Sequence, residues 1–569
     1  MVAKQAMSVD DAVSHVLATN PTFAVTQAKI RGVTYKTFAN IPGTTRDLLA
    51  ASYEAQGAGV AEYLVFGTER WTFDEFCIDV RRTAQALQAR FGLQKGTRIA
   101  IASRNCPEML ILMMAITSAG GIVVFLNAWW TTAELDYALK DSGAKVVFAD
   151  AERLERLGPL ERDLDLMVMG LRQQGSVEDF SQFVAPFQGD VWPDNALETD
   201  DDMAIMYSSG TTGHPKGVVQ THRGAMNAVF SWLLQAFAQP LVDPPQPDAR
   251  PAPRPCALIV TPLFHVTATH PMFLLSIPAG AKVVIMDKWD ADLATKLIER
   301  EKVTRFLGVP TQSADLIKAA NARGATLETL DFLGSGGAKR PPAQVGELAK
   351  RFPNAAVATG WGMTETNANG IGLAGEDYAA QPGVAGRLYP PVQEIRFMDD
   401  DGQEVAPGDI GEITVKSPCN MRCYLNKPEA TAETMQDGWL RTGDLGRIDP
   451  DGLITILDRK KNIIIRGGEN IACLDVEAAL HRHPAVAEAC AFAVPDARLG
   501  EVVGAAVQIR DDHPVSAEEI QTFLQGDIAH FKVPQYVWIQ ATPLPRGATD
   551  KLDRRGLRAQ CLETLPKNT

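Results

Sequence analysis

Ten residues of this chain, Ser208-Ser209-Gly210-Thr211-Thr212-Gly213-His214-Pro215-Lys216-Gly217, hold four hydroxyls, three glycines and one lysine. Glycines let a backbone bend until successive N–H groups point at one centre. The hydroxyls add donors, and Lys216 adds a positive charge on a flexible stem. Such a set suits a polyphosphate. It is not a Walker A loop, in which Gly-Lys-Ser/Thr closes the run; here Pro215 precedes the lysine and Gly217 follows it. Taken alone, the same composition also suits a polar surface loop.

Three further groups lie far apart in sequence. Thr359-Gly360-Trp361-Gly362-Met363-Thr364-Glu365-Thr366 sets hydroxyls and one carboxylate in a glycine-bracketed turn, and a hard carboxylate oxygen such as that of Glu365 suits Mg²⁺ beside a phosphate. Gly438-Trp439-Leu440-Arg441-Thr442-Gly443-Asp444 places a carboxylate after a glycine turn, where acidic residues can grip the two hydroxyls of a ribose. Pro545-Arg546-Gly547-Ala548-Thr549-Asp550-Lys551 offers a lysine on a loop that can bring charge to a reacting phosphate and carboxylate. Each also has an ordinary reading: a surface glutamate, a turn aspartate, and a solvated lysine between Asp550 and Asp553.

Positioning such groups needs a scaffold, and the chain has one. Residues 97–150 alternate strand, helix, strand, helix, strand, and the pattern recurs at Cys256–Thr261, Lys282–Met286 and Arg305–Val309. Strands alternating with helices of this length predict βαβ units and parallel sheets. The uncharged stretch Met109–Thr132 is long enough to span a bilayer, but Gly120-Gly121 interrupts it, so it reads as helix, turn and strand inside a buried α/β unit. Seven prolines over 239–255 predict a surface loop or lid, outside any helix or inner strand. From about Gln381, glycine-punctuated short strands (Glu394–Met398, Gly411–Val415, Leu453–Leu457) predict a small β-rich subdomain. The charge run Asp458-Arg459-Lys460-Lys461 precedes a compact α+β unit. The expected architecture is an α/β fold: a large N-terminal domain over 1–458, with parallel sheets and the β-rich subdomain, and a small mobile α+β domain over 459–569, joined by a hinge at 458–461.

Composition sets limits. With 569 residues, 46% hydrophobic and 22% charged, the chain is an ordinary globular protein. A net charge of −14 argues against a general nucleic-acid binder. The eight cysteines are scattered without the spacing of a zinc site, and no apolar signal core opens the chain, so a reducing, cytoplasmic setting without a transmembrane segment is expected.

In this order and together, the motifs resemble those of the acyl-adenylate-forming superfamily, which includes acyl-CoA synthetases, luciferases and peptide-synthetase adenylation domains. The resemblance runs over about residues 45–560 and rests on 207–217, Ser335-Gly336-Gly337-Ala338, Trp361–Glu365, Thr442-Gly443-Asp444, Asp458–Lys461, Gly467-Gly468-Glu469-Asn470-Ile471 and Lys551. It implies ATP, Mg²⁺ and coenzyme A as cofactors, a small carboxylic acid as substrate, and an active site between the two domains. Ser208, Ser209, Gly210, Thr211, Thr212, Gly213 and Lys216 would hold the β- and γ-phosphates. Gly336, Gly337 and Ala338 would flank the adenine with Trp361 stacked near it, in a nucleotide site that also takes in Gly362 and Met363. Thr364 would contact the α-phosphate, Glu365 would bind the metal, and Asp444 and Arg459 the ribose. Lys461 occupies the hinge position. Gly467 and Gly468 would line the pantetheine tunnel, and Lys551 would be the adenylation lysine. Where the family has glycine before that lysine, this chain has Asp550, whose carboxylate would pair with Lys551 or repel ATP.

The resemblance implies two steps at one carboxyl carbon. A carboxylate oxygen attacks the α-phosphorus of ATP and pyrophosphate leaves; a thiol then attacks the acyl carbon and AMP leaves. Rotation of the small domain would exchange Lys551 for the Gly467-Gly468 face. His265, in Pro262-Leu263-Phe264-His265, borders the acyl pocket and thiol entrance in this picture, with a packed core histidine as the alternative. Trp232, Phe237, Met272 and Phe273 are candidates for an apolar acyl channel, and a medium- or long-chain fatty acid or an apolar aryl acid is expected. Other readings are an enzyme loading a carrier protein, a luciferase-like oxygenase, or a non-catalytic nucleotide binder. A homodimer is among the assemblies open to the chain.

Overall fold

The protein is described by a computed structural model over residues 6–57, 59–175, 177–208, 215–244, 253–337, 339–466, 469–496, 498–510, 515–525, 527–547 and 551–565. Two large sheets dominate. One has seven strands, with Asp202–Ser208, Ile122–Leu126, Arg98–Ala102, Val146–Asp150 and Met167–Leu171 running parallel, and Lys216–Thr221 and Cys423–Tyr424 antiparallel at one edge. The other has nine strands around a parallel centre of Lys282–Ile285, Cys256–Ile259, Arg305–Gly308, Phe332–Ser335 and Ala356–Gly362.

Side-chain alternation decides how these sheets stack. Ile99 and Ile101 join the central core while Ala100 and Ala102 face a second cluster; Ala257 and Ile259 join the central core while Cys256 and Leu258 face a third. Both sheets are therefore covered on both faces, as parallel sheets must be. The helices Phe73–Phe91, Pro107–Ser118 and His222–Val242 fill the layer between them. This explains the uncharged stretch. Met109 to Ser118 is buried on every side, and each fully buried Leu or Ile there contributes about 1.5–3 kcal/mol. The turn and strand that follow are those expected, and no described helix is long and apolar enough to cross a membrane.

One expectation is corrected. The helix His222–Val242 continues through Pro240, so the start of the proline-rich stretch is helical, not loop. Packing against the helix Val9–Thr19, with Met7 N–H donating to the Leu241 carbonyl at 2.9 Å, outweighs the bond that Pro240 cannot donate. Residues 245–252 lie outside the described residues.

The β-rich part is a five-stranded antiparallel sheet that includes Glu394–Met398, Gly411–Lys416, Trp439–Ile448 and Ile454–Arg459. A last five-stranded sheet, from Ile463–Arg466 to Tyr536–Gln540, packs against Cys473–Leu480, Ala517–Gln525 and Arg554–Glu563 around its own two clusters. Asp458 ties the two parts together. It is buried, and its carboxylate accepts from the backbone N–H groups of Arg459 and Leu474 and from the Asn462 amide. The Leu474 bond puts a negative charge at the start of a helix, where the dipole favours it. Burial still pushes the Asp458 carboxyl above its usual range.

Candidate active site

Ligand crevices in open α/β sheets lie beyond the carboxyl ends of the strands. Ser208 ends one parallel strand, Gly336 and Gly337 follow another, and Trp361 closes a third. Thr261 to His265 follow Cys256–Ile259. The hydroxyl-rich run joins two antiparallel strands whose feet are fixed by the pairing of Ser208 with Lys216. Ser209, Gly210, Thr211, Thr212, Gly213, Ala338, Gly467 and Gly468 lie outside the described residues, as does Asp550.

Glu365 sits in a one-turn helix, Thr364–Thr366, within the reversal by which the strand Ala356–Gly362 turns back to pair with Gly370–Ala374. That reversal requires glycine: a Cβ at Gly362 would lie 2.2 Å from the Ala368 carbonyl oxygen. The turn is braced from behind. Gln220 donates to the Thr364 carbonyl at 2.9 Å, and Met421 N–H donates to the Glu365 carbonyl at 2.7 Å. Asn367, held at φ +51°, has its side chain between the His270 imidazole at 2.9 Å and the Cys419 carbonyl at 2.7 Å. A neutral imidazole donating from Nε2 to Asn367 and accepting at Nδ1 from Thr269 satisfies both contacts. Burial pushes His270 down to about 4. The Glu365 carboxylate is buried and accepts from the Tyr424 hydroxyl at 2.9 Å. Lys216 places its ammonium 4.6 Å from the centre of the Tyr424 ring.

Asp444 follows Gly443, whose φ of +71° marks a bulge within the strand Trp439–Ile448. Glu412 holds that bulge by accepting from Gly443 N–H and from Arg441. Asp444 itself is buried; it accepts from the Trp361 indole at 2.8 Å and pairs with Arg459, its neighbour across the strands, at 3.1 Å. Trp361, Asp444 and Arg459 thus form one linked unit.

Lys551 reaches the same crevice from the C-terminal part. A Cβ at Gly337 would lie 3.6 Å from its Cε. The residue keeps exposed surface, yet the protein packed around its charge desolvates it, and that, then Arg459 nearby, lowers its pKa, while Asp444 and Glu365 oppose the shift. Lys461, in the turn Lys460–Asn462, is exposed at its surface yet borders the same crevice. Burial, then Arg459, lower it to about 8. Lys461, Arg459, Tyr424, Met363 and Thr442 line a cavity of about 340 Å³. Met363 also packs into a small apolar cluster with Val218, Met421 and Leu440.

His265 is half-buried, its Nε2 is buried without a hydrogen-bond partner among the described residues, and its ring meets Phe264, which in turn meets Trp129. Burial, then the Lys551 charge, push the imidazole down to about 3, so it is neutral. Of the apolar candidates, Met272 and Phe273 are core residues, and Trp232 packs against that core. Phe237 is removed from the set: it is exposed at the far end of its helix, against Phe23. Tyr424, Gln220, His270 and Glu412 were not found from sequence. Their partners are remote along the chain, and only the turn-forming run Asn367-Ala368-Asn369-Gly370 hinted that the Glu365 turn needed support.

The model of the AMP-binding enzyme family matches residues 52–425, and the C-terminal domain model of the same enzymes matches 475–551. A long-chain-fatty-acid–CoA ligase of Bacillus subtilis is 30% identical over 529 residues, covering 86% of this chain and 90% of that protein. A feruloyl-CoA synthase of Amycolatopsis is 34% identical over 469 residues, covering 82% and 89%. The ATP-bound structure of MatB from Rhodopseudomonas palustris superimposes with a TM-score of 0.80 at 28% identity, over 91% of this chain and 99% of that one.

Proposed function

This chain belongs to the AMP-binding enzyme family, within the acyl-adenylate-forming superfamily, and on that premise we propose how it works as an ATP-dependent, AMP-forming acyl-CoA synthetase and which acid it takes. The observation that carries the reading is convergence. Lys216, Glu365, the Asp444–Arg459 pair and Lys551 come from four separate sequence regions and act on one crevice.

In the first half-reaction the acid's oxygen attacks the α-phosphorus, and negative charge grows on the α-phosphate and the departing pyrophosphate. Lys216 and Lys551 stabilise that charge from two sides in a cleft that weakens water's screening. Asp444, fixed by Trp361 and Arg459, binds the ribose hydroxyls and so sets the α-phosphorus in line. Thr364 contacts the α-phosphate. Gly336 and Gly337 leave room for the adenine. Glu365 offers a single buried carboxylate, and no group of three or more His, Cys, Asp or Glu side chains among the described residues could hold a metal ion. This donor set fits Mg²⁺, which keeps several waters and takes one or two carboxylates together with substrate phosphates. When bound it supplies Lewis-acid charge neutralisation to the phosphates.

In the second half-reaction the coenzyme A thiol attacks the acyl carbon and AMP leaves. The small domain, hinged at 458–461, withdraws Lys551 and presents Gly467 and Gly468. The acid is a medium- or long-chain fatty acid or an apolar aryl acid. The neutral His265 beside Phe264 and Trp129, and the long-chain-fatty-acid and feruloyl relatives, support this class. The eight cysteines are free thiols, which supports a cytoplasmic location. A pyrophosphate-release screen with coenzyme A over straight-chain, branched, aryl and thioether acids tests the reading. Acid-dependent release is expected, and its absence across the panel refutes the assigned acid class.

A further inference from the structure

Lys216 and Glu365 carry opposite charges into the same part of the crevice, yet neither forms an ion pair among the described residues. One side chain touches both. The Tyr424 hydroxyl donates to Glu365 Oε1 at 2.9 Å, and the face of its ring takes the Lys216 ammonium at 4.6 Å. We propose that Tyr424 is a positioning residue for the adenylation step, holding Glu365 through its hydroxyl and Lys216 over its ring so that both charges remain available to the nucleotide instead of neutralising each other. The proposal rests on the reading of Lys216 and Glu365 given above.

The backbone places Tyr424 for this task. Within five residues, Met421 N–H donates to the Glu365 carbonyl at 2.7 Å, Arg422 N–H to Val219 at 2.8 Å and Leu425 N–H to Gly217 at 2.7 Å. The segment is thereby fastened to the turn that carries Glu365 and to the strand that begins with Lys216. From the other side, the Thr431 hydroxyl accepts from Tyr424 N–H at 3.0 Å. The ring also packs with Val218, Met421 and Leu440, so a purely structural role must be separated from the polar one. The hydroxyl contributes nothing to that apolar packing. Phenylalanine therefore keeps the filling role and the cation-holding ring face but loses the hold on Glu365; leucine loses both polar roles. A hydrogen bond also engages one carboxylate oxygen and orients the other, so its loss lets Glu365 rotate toward Lys216.

The test uses the full chain and its variants Tyr424→Phe, Tyr424→Leu, Glu365→Gln and Lys216→Ala. Three quantities are read: acid-dependent ATP–pyrophosphate exchange as a function of Mg²⁺, equilibrium binding of ATP without acid, and thioester formation from supplied acyl adenylate and coenzyme A. Tyr424→Phe is expected to raise the Mg²⁺ needed for half-maximal exchange about tenfold, the scale of a hydrogen bond to a charged group. Tyr424→Leu is expected to weaken ATP binding about threefold more, the scale of a cation–ring contact. Neither should slow thioester formation. Tyr424→Phe should cost less in the Glu365→Gln background than alone, because the bond it removes has already lost its charged partner. An unshifted Mg²⁺ dependence in Tyr424→Phe, additive losses in the double variant, or equal slowing of both half-reactions would overturn the proposal. Loss of exchange in Glu365→Gln and Lys216→Ala with none in the Tyr424 variants overturns it alone; normal exchange in those two overturns the reading beneath it as well.

Discussion

Asp444 and Lys551 act on the same crevice but are held in opposite ways. Asp444 is 5% exposed, bonded to Trp361 and Arg459, and set in a strand bulge that Glu412 grips from behind. Lys551 is exposed, and what fixes it is backbone: Gly547 N–H donates to its carbonyl at 2.7 Å, and Asp553 N–H donates to Pro545 at 2.8 Å. One charge is built into a buried network; the other rides on a loop of the small C-terminal part. That contrast suits the two-step reaction proposed above, in which the nucleotide would be held throughout while Lys551 would act only once. A buried network costs too much to dismantle at each turnover, whereas in the proposed rotation a loop lysine would move with its domain.

The largest effect should come from the loop. Lys551→Ala is expected to reduce pyrophosphate exchange by about 10²–10³, the scale of removing one electrostatic stabiliser. Thioester formation from supplied adenylate should be nearly unchanged. Equal loss in both assays would mean that Lys551 is as fixed a part of the site as Asp444, and the contrast would fail.

The next effect probes two buried imidazoles: His270, behind the Glu365 turn, and His222, which accepts from Thr45 N–H. Both are fully buried, and burial pushes each down to about 4 from the ordinary 6.5. Both are neutral in the folded protein where the unfolded chain binds protons, so stability falls as pH drops from 6.5 toward 4 and stops falling below it. The loss is on the order of 3 kcal/mol per histidine. Denaturant titrations at pH 7 and pH 4.5 should show it, and His270→Gln should remove about one proton from the slope. A flat profile between those pH values would show that these imidazoles titrate as if exposed, and, for His270, that the support behind the Glu365 turn is looser than the geometry indicates.

Legibility in the sequence follows the same division. The strand–helix rhythm of 97–150 could be read because short apolar runs alternating with helix-length stretches are local signals. Glu365, Asp444 and Lys551 could be proposed because each lies in a short contiguous run with glycine and hydroxyl neighbours. Tyr424 could not, since its two partners are remote in sequence and nothing in its own neighbourhood marked a site. Pro240 was misread because the loss of one helical bond is visible in sequence, while the packing of one helix on another that compensates for it is not. Phe237 was misread because an aromatic residue on a buried helix carries no mark of which end meets solvent.

A smaller effect should come from Asp444 itself. Asp444→Asn keeps the shape but leaves Arg459 without its charged partner, and the KM for ATP should rise about tenfold with a lesser change in kcat. A rise in the KM for the acid instead would move Asp444 out of the nucleotide half of the site.

The smallest expected effect is the sharpest probe of the network. Trp361→Phe retains an aromatic face but deletes the indole N–H that Asp444 accepts at 2.8 Å. Arg459 remains at 3.1 Å, so the carboxylate keeps one charged donor, and the KM for ATP should rise only about threefold. If the two residues act through one bond, Trp361→Phe in the Asp444→Asn background should cost less than it does alone, because the amide no longer carries the charge that made that bond strong. Full additivity would mean that Trp361 works only by contact with the base, and that Asp444 owes its fixed position to Arg459 and the Glu412-braced strand bulge.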